Sequence, residues 1–322
     1  MLQLDKVNLT HTKDLSPLLR DLSLTVNNGD KVAIIGEEGT GKSTLLQAIF
    51  HTEKLPDYVN MSGLIKHDFT KVIYLPQALN QATLTKSLNA FLYDEKDLSF
   101  LDFNLFFQLA HFCQLDLDFI DKEGLQLKDL SGGERLKLQV IKALALNPDL
   151  LLLDEPSSDL DLESIVWLEK IIQDSPQTIL FISHDESFLT ACATAILHLE
   201  LTQKRRKSKW TFFKGSYPDY KSHRQNQYQK QLQIATKARS DFQKKKAKQE
   251  RIQDSLHHRL NHTKDSTAGR LLAKKMKAIK SQERKLDITK NQLEEFPDEL
   301  EKIAIFFSDS VPLPKNKIIL HW

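Results

Sequence analysis

The sequence predicts an α/β domain followed by an antiparallel pair of long helices. Three observations carry that prediction. Over residues 1–200, short apolar runs alternate with helical stretches, as in a sheet covered by helices on both faces. A Gly-rich segment, GEEGTGKST at residues 36–44, sits between one such run and one such helix. From Lys221 to Phe296 the chain has one Gly and no Pro, and apolar residues recur seven apart, which marks a coiled-coil seam.

The N-terminus, MLQLDKVNL, alternates like a strand. LSLTV, KVAIIG, KVIYLP, LLLLDEP and TILFISHD are short, β-branched or leucine-rich, and read as strands. GKSTLLQAIF, SGGERLKLQVIKALAL and LESIVWLEKIIQ carry helical spacing, and LDFNLFFQLAHF (residues 101–112) reads as a helix of a helical subdomain over about 80–145. Residues 201–217 predict a hairpin and a turn. Beyond them, Tyr228, Ala235, Phe242 and Leu256 keep one heptad register, with Gln249 interrupting it. Leu272, Ile279, Leu286, Leu293 and Leu300 keep a second. Between the two lies HHRLNHTKDSTAGR, residues 257–270, rich in turn formers. The segment therefore predicts two arms, each roughly 50 Å long at 1.5 Å per residue, joined by a polar tip. The last residues, 302–322, return to short apolar runs like the opening strands of another α/β domain.

Charge is segregated along the chain. Residues 204–290 hold 26 Lys and Arg against 7 Asp and Glu, a net +19; the remainder nets −17, and the whole chain only +2. Such a split predicts that one region meets a polyanion and the other does not. The two cysteines, Cys113 and Cys192, are far apart and fit neither a disulfide framework nor a zinc site. No apolar run reaches the length of a membrane span, and the N-terminus lacks the layout of a signal peptide.

Three motifs carry chemistry. Residues 36–43 fit G-x-x-x-x-G-K-S after an apolar run and before a helix, the context a P-loop requires. Gly36, Gly39 and Gly41 let backbone N–H groups curl around phosphates, with Thr40 and Thr44 in the same loop and first turn. Lys42 then reaches the β- and γ-phosphates and Ser43 ligates Mg²⁺. In LLLLDEPSSDLD an apolar strand ends in Asp154 and Glu155. The first is a candidate Mg²⁺ ligand through water; the second orients or deprotonates the attacking water. In LSGGERLKL, Ser131, Gly132, Gly133 and Glu134 open a helix. They form an anion site at its N-terminus, a capping box, or both.

With the P-loop, the SGGE helix start and the DE strand end following one another along the chain, residues 1 to about 200 resemble the nucleotide-binding domain of an ATP-binding cassette (ABC) protein, a domain expected to span 1–217. The resemblance implies ATP and Mg²⁺ as cofactors. It makes Gln77 in IYLPQ the residue that senses Mg²⁺ and the attacking water, Asp161 the D-loop aspartate, and His184 in FISHD the switch histidine at the γ-phosphate. Ser131–Glu134 become the signature that faces a partner's ATP. An aromatic residue that stacks on adenine is usual near the end of the first strand; His11 falls there, so either His11 stacks on the base or the base is held elsewhere.

GSYPDY, residues 215–220, resembles the GNYSxY opening of the linker in the ABC-F subfamily, with Pro218 and Asp219 as departures. DEPSSDLD resembles that subfamily's DEPTNHLD, with Ser157, Ser158 and Asp159 as departures. In ABC-F proteins two cassettes are joined by a helical linker that enters the ribosome. The resemblance thus implies a cytoplasmic, ribosome-binding ATPase whose linker, residues 218–301, meets rRNA and the P-site tRNA near the peptidyl transferase centre. Lys244, Lys245, Lys246, Lys248, Arg259, Arg270, Lys274, Lys275 and Lys277 are its candidate RNA contacts. Little room for an additional arm separates Gln77 from Ser131. One P-loop and one signature per chain imply a second cassette, in the same protein beyond residues 302–322 or on a partner chain, and weak turnover by this chain alone. Either a translation factor or a protein that displaces antibiotics fits. An ATPase subunit of an ABC membrane transporter explains residues 1–200 equally well but not the basic hairpin. A chromosome-maintenance ATPase would carry its coil between the P-loop and the signature, and a purely structural clamp would not need Lys42, Glu155 and His184.

Overall fold

The computed structural model of the chain describes residues 1–13, 15–51, 55–94, 97, 100–117, 124–158, 160–202, 207–262, 274–277 and 281. The chain divides after Tyr220 into two compact units. In the first, β1 (Leu2–His11), β2 (Pro17–Val26) and β4 (Val59–His67) form an antiparallel sheet in the order β2-β1-β4. A second sheet holds β3 (Lys31–Ile35), β5 (Val72–Leu75), β6 (Leu150–Asp154), β7 (Thr178–Ile182), β8 (Ala195–Thr202) and β9 (Lys207–Lys214). Its order is β5-β6-β7-β3-β8-β9. The first four pairings are parallel, and β8–β9 is an antiparallel hairpin at the edge.

Every residue of β3, β6 and β7 is buried. Their alternate side chains enter two different cores, as a two-residue period requires. Val32, Ile34, Leu150, Leu152, Leu180 and Ile182 join the core that also holds Leu45, Leu46 and Ile49 of α1 (Lys42–Phe50) and the antiparallel sheet. Ala33, Ile35, Leu151, Leu153, Ile179 and Phe181 face the other core. There they meet α5 (Gly132–Ala145), α6 (Leu162–Asp174) and α7 (Glu186–Cys192). This is why those runs are apolar without alternating: both faces are covered. Between β5 and α5 lie the shorter helices α2 (Gln81–Leu84), α3 (Leu88–Leu92) and α4 (Phe103–Phe112).

Two strands escape the sequence reading. β4 is mostly exposed and contains Gly63, so it shows neither alternation nor an apolar run. It exists because it pairs with β1, where Gly63 (φ +95) lies so close that a Cβ would meet the Lys6 carbonyl oxygen at 2.2 Å. β8 begins at Ala195, so the hairpin starts before the predicted residue 201. LSLTV lies in the antiparallel sheet as part of β2.

The long helix α8 runs from Tyr217 to His262. GSYPDY is therefore not a turn that precedes a helix but the helix start itself. Ser216 Oγ accepts a hydrogen bond from Asp219 N–H (3.3 Å) and donates one to Asp219 Oδ2 (2.6 Å), a cap that Pro218 tolerates because first-turn N–H groups have no intrahelical partner. The helix also continues six residues into the predicted tip. Within the second unit, Tyr228, Ala235, Phe242, Gln249 and Leu256 are all buried or half-buried, while most of the remaining surface of α8 is exposed. The covered stripe thus follows the predicted register, Gln249 included. Residues 274–277 are helical. The rest of the predicted second arm, Arg270 and 302–322 lie outside the described residues, as do Asp159 and the Arg259 side chain.

The first turn of α8 is tied into the first unit. Tyr220, 4% exposed, places its hydroxyl 2.6 Å from Nδ1 of His198, itself 1% exposed on β8. Tyr217 donates to Glu186 Oε1 over 3.3 Å. Because a hydrogen bond contributes about 0.5–1.5 kcal/mol net, Tyr220→Phe is expected to destabilise the first unit by about that amount. The check is an earlier urea midpoint at unchanged slope.

Candidate functional site

The parallel register brings the predicted residues together. Leu75 pairs with Leu153, Leu153 with Phe181, and Phe181 with Ala33. The carboxyl ends of β5, β6, β7 and β3 therefore fall in one row, and Gln77, Asp154, Glu155, His184 and the loop after Ile35 project from it. Ligand crevices of open α/β sheets lie at this edge.

The loop 36–41 is built by backbone freedom. Gly36, Gly39 and Gly41 have φ of +145, +79 and +89, values that side chains with a Cβ rarely adopt. At Gly36 a Cβ would sit 2.1 Å from the Leu199 carbonyl oxygen. Thr40 is buried and its hydroxyl donates to the Glu37 carbonyl at 2.9 Å, closing the loop. Lys42 is also buried, and its Nζ donates to the carbonyls of Gly36 (2.7 Å) and Glu37 (2.9 Å). The Lys42 ammonium thus ties the start of α1 back to the loop that precedes it.

Asp154, buried at the end of β6, accepts a hydrogen bond from Ser43 Oγ at 3.1 Å and another from Tyr74 OH at 2.9 Å. Burial pushes its carboxyl above the ordinary range, against the pull of Tyr74, Ser43 and Lys42. Ser43 and Asp154 are hard oxygen donors close enough to serve one Mg²⁺. No group of three or more His, Cys, Asp or Glu forms a cation cage among the described residues. Mg²⁺ typically takes one or two protein ligands together with phosphate oxygens and water, so the donor set fits that ion.

Glu155 is bracketed. Gln77 Nε2 donates to its Oε2 at 2.8 Å, and His184 Nε2 lies 3.6 Å from its Oε1. Its backbone has φ +51, a left-handed conformation for a non-glycine residue; strain of this kind is found at functional sites. Burial, with Lys42, holds the His184 ring below its ordinary value although Glu155 and Glu38 oppose this, so the ring is neutral at pH 7.

Other predicted residues lie apart from this row. Ser131 and Glu134 form a reciprocal capping box: Glu134 N–H donates to Ser131 Oγ (3.2 Å), and Ser131 N–H donates to Glu134 Oε2 (2.9 Å). Hydrogen bonds from Ser131 hold the Glu134 carboxyl below its usual range. A Cβ added at Gly133 would lie 4.0 Å from Leu160 Cδ2, so the start of α5 and the residue before Asp161 are neighbours. Asp161 caps α6 by accepting from Ser164 N–H at 2.8 Å. His11 ends β1 with its ring 5.8 Å from that of Tyr58. Tyr58 and Tyr74 were not legible as site residues. The first reaches His11 only through β1–β4 pairing, and the second sits in the quoted IYLPQ but needs β5 beside β6 to reach Asp154. Lys244, Lys245, Lys246 and Lys248 are exposed on α8, and Lys274, Lys275 and Lys277 are exposed in the helical stretch 274–277.

A parallel sheet that gathers a P-loop, a buried aspartate, a strained glutamate and a histidine at one edge defines a P-loop nucleotide-binding domain. More narrowly, the domain is an ABC ATP-binding cassette, and residues 19–158 match the ABC transporter family. ATP-binding protein Uup of Buchnera aphidicola is 33% identical over 206 residues, 63% of this chain and 32% of that protein. ABC transporter F family member 2 of Dictyostelium discoideum is 31% identical over 238 residues, 68% of this chain and 39% of that one. Energy-dependent translational throttle protein EttA of Escherichia coli K12 is 32% identical over 208 residues, 64% of this chain and 36% of that one. The chain spans about a third of the length of these curated relatives. Among the described residues no helix is long and apolar enough to cross a membrane.

Gly36→Ala is expected to abolish binding of a fluorescent ATP analogue and to lower the melting temperature, because its Cβ meets backbone rather than a side chain that can move. Gly39→Ala, with open space around the added carbon, carries only the cost of its positive φ, about 1–2 kcal/mol. Titration of the analogue and thermal unfolding of both variants check the contrast.

Proposed function

We propose that this chain is the cassette and linker of an ABC-F ATPase that binds the ribosome, in the cytoplasm, under the control of ATP. The observation that carries the reading is α8. It leaves the cassette with eleven Lys and Arg against four Asp and Glu, and its covered stripe leaves Lys244, Lys245, Lys246 and Lys248 exposed. Such a helix supplies sequence-independent affinity for RNA phosphates. The likeness to EttA, named for translation, and to an F family member supports the same reading. A transporter subunit has no use for this helix. Antiparallel pairing of the arm with residues 271–301, and contacts from Arg259, Arg270, Lys274, Lys275 and Lys277, belong to the proposal.

In this reading Lys42 exchanges the carbonyls of Gly36 and Glu37 for phosphate oxygens. The N–H groups of Gly39, Thr40, Gly41 and Thr44 complete the cradle, and His11 meets the base. Ser43, Asp154 and Gln77 hold Mg²⁺, which when bound neutralises charge on the phosphates. Glu155 accepts the proton of the attacking water, while Gln77 and His184 keep its carboxylate in place. Ser131–Glu134 and Asp161 face the ATP of a second cassette, in the same protein or on a partner, so that two nucleotides close the pair. Closure permits ribosome binding and hydrolysis permits release. Between a translation factor and an antibiotic-displacing protein, the EttA likeness favours the first.

Glu155→Gln is expected to keep the protein on 70S ribosomes in ATP under conditions where the unaltered protein dissociates; sedimentation at low salt reads this directly. A variant retained no better than the unaltered protein would refute the cycle. Replacing Lys244, Lys245, Lys246 and Lys248 together by Gln should flatten the salt dependence of binding, by roughly 0.7–0.9 in the log–log slope per lost phosphate contact. Recovery with membranes instead of ribosomes would return the transporter reading.

A further inference from the structure

We propose that Tyr74 is a positioning residue that sets Asp154 for the divalent cation. The inference rests on the Mg²⁺ reading of Asp154 given above. α1 and β5 both reach the end of β6 at this point. Ser43 donates to Asp154 Oδ1 at 3.1 Å. The Tyr74 hydroxyl donates to Asp154 Oδ2 at 2.9 Å. The β5–β6 register pairs Tyr74 with Leu152, so Tyr74 shares a sheet face with Leu152 and, two residues on, with Asp154. The ring of Phe50, 5.6 Å away, packs against that of Tyr74.

A phenol carries one proton, and the Asp154 carboxylate is its acceptor. Both oxygens of the Asp154 carboxylate are thereby held, each by a different element, in a site only 5% exposed. Outer-sphere hydrogen bonds of this kind orient metal-ligating carboxylates, and losing one typically lowers metal affinity about 10–100-fold. Without the hydroxyl, Oδ2 is left buried with no donor and the carboxylate is free to turn away from Ser43. Binding of nucleotide without metal uses Lys42 and the loop backbone, not Tyr74, so the two affinities should separate.

The test is titration of a fluorescent ATP analogue into the chain in EDTA and across a Mg²⁺ series, with melting temperatures measured alongside. Tyr74→Phe should bind the analogue in EDTA within about twofold of the unaltered protein. It should need about 10–100-fold more Mg²⁺ for the metal-dependent gain in affinity. Tyr74→His, whose ring N–H can still donate, should need less extra Mg²⁺ than Tyr74→Phe; if Tyr74→Phe folds poorly, Tyr74→Leu supplies the hydroxyl-free comparison. Asp154→Asn separates the two levels of the argument. If Asp154→Asn raises the Mg²⁺ requirement and the hydroxyl-free variant does not, the positioning role is wrong and the Asp154 assignment stands. If Asp154→Asn leaves the requirement unchanged, the assignment falls and the inference with it. Equal loss for Tyr74→Phe with and without Mg²⁺ would make the hydroxyl merely structural and would also overturn the proposal.

Discussion

The register of one parallel sheet is the constraint on which the site depends. Gln77, Asp154, Glu155, His184 and the loop 36–41 come from four strand ends far apart in the chain. They converge because β5, β6, β7 and β3 stop in the same row. A slip by one residue in any pairing would turn every side chain of that strand to the opposite face. It would exchange the two cores as well as the site. The buried, two-faced apolar strands therefore hold the chemistry in place by the same packing that stabilises the fold.

At the row itself, ordinary backbone rules give way. Gly36 lies too close to β8 for any Cβ, and Glu155 adopts a left-handed conformation without being glycine. Asp154 is a buried carboxylate with Lys42 nearby, and Lys42 is satisfied by carbonyl dipoles. Each of these is unfavourable on its own, and the surrounding packed strands keep them in being.

The cassette and the helix that leaves it differ in charge for a physical reason. The first unit has a core whose strand ends gather Asp154, Glu155 and the buried Lys42. The exposed surface of α8 carries more lysines and arginines than acids, and Lys246 pairs with Glu250 one turn on. An excess of charge of one sign repels itself unless a polyanion covers it, which is the sense of the ribosome reading. The first turn of that helix is bound into the nucleotide domain through Tyr217 and Tyr220, and Glu186, which Tyr217 contacts, follows His184 by two residues.

The sequence by itself determined the elements whose signal is local. The P-loop was legible from glycine spacing, the buried strands from apolar runs, α5 from its capping box, and the stripe on α8 from its heptad period. Tertiary structure alone decided what depends on pairing at a distance. β4 exists because β1 offers it an edge. Tyr58 reaches His11, and Tyr74 reaches Asp154, because particular strands lie side by side. The helix that opens the linker begins at Tyr217, one residue before the expected 218, because Ser216 caps the first turn. Local patterns follow from the chemistry of neighbouring residues, whereas cross-strand neighbours follow from register, which no single segment encodes.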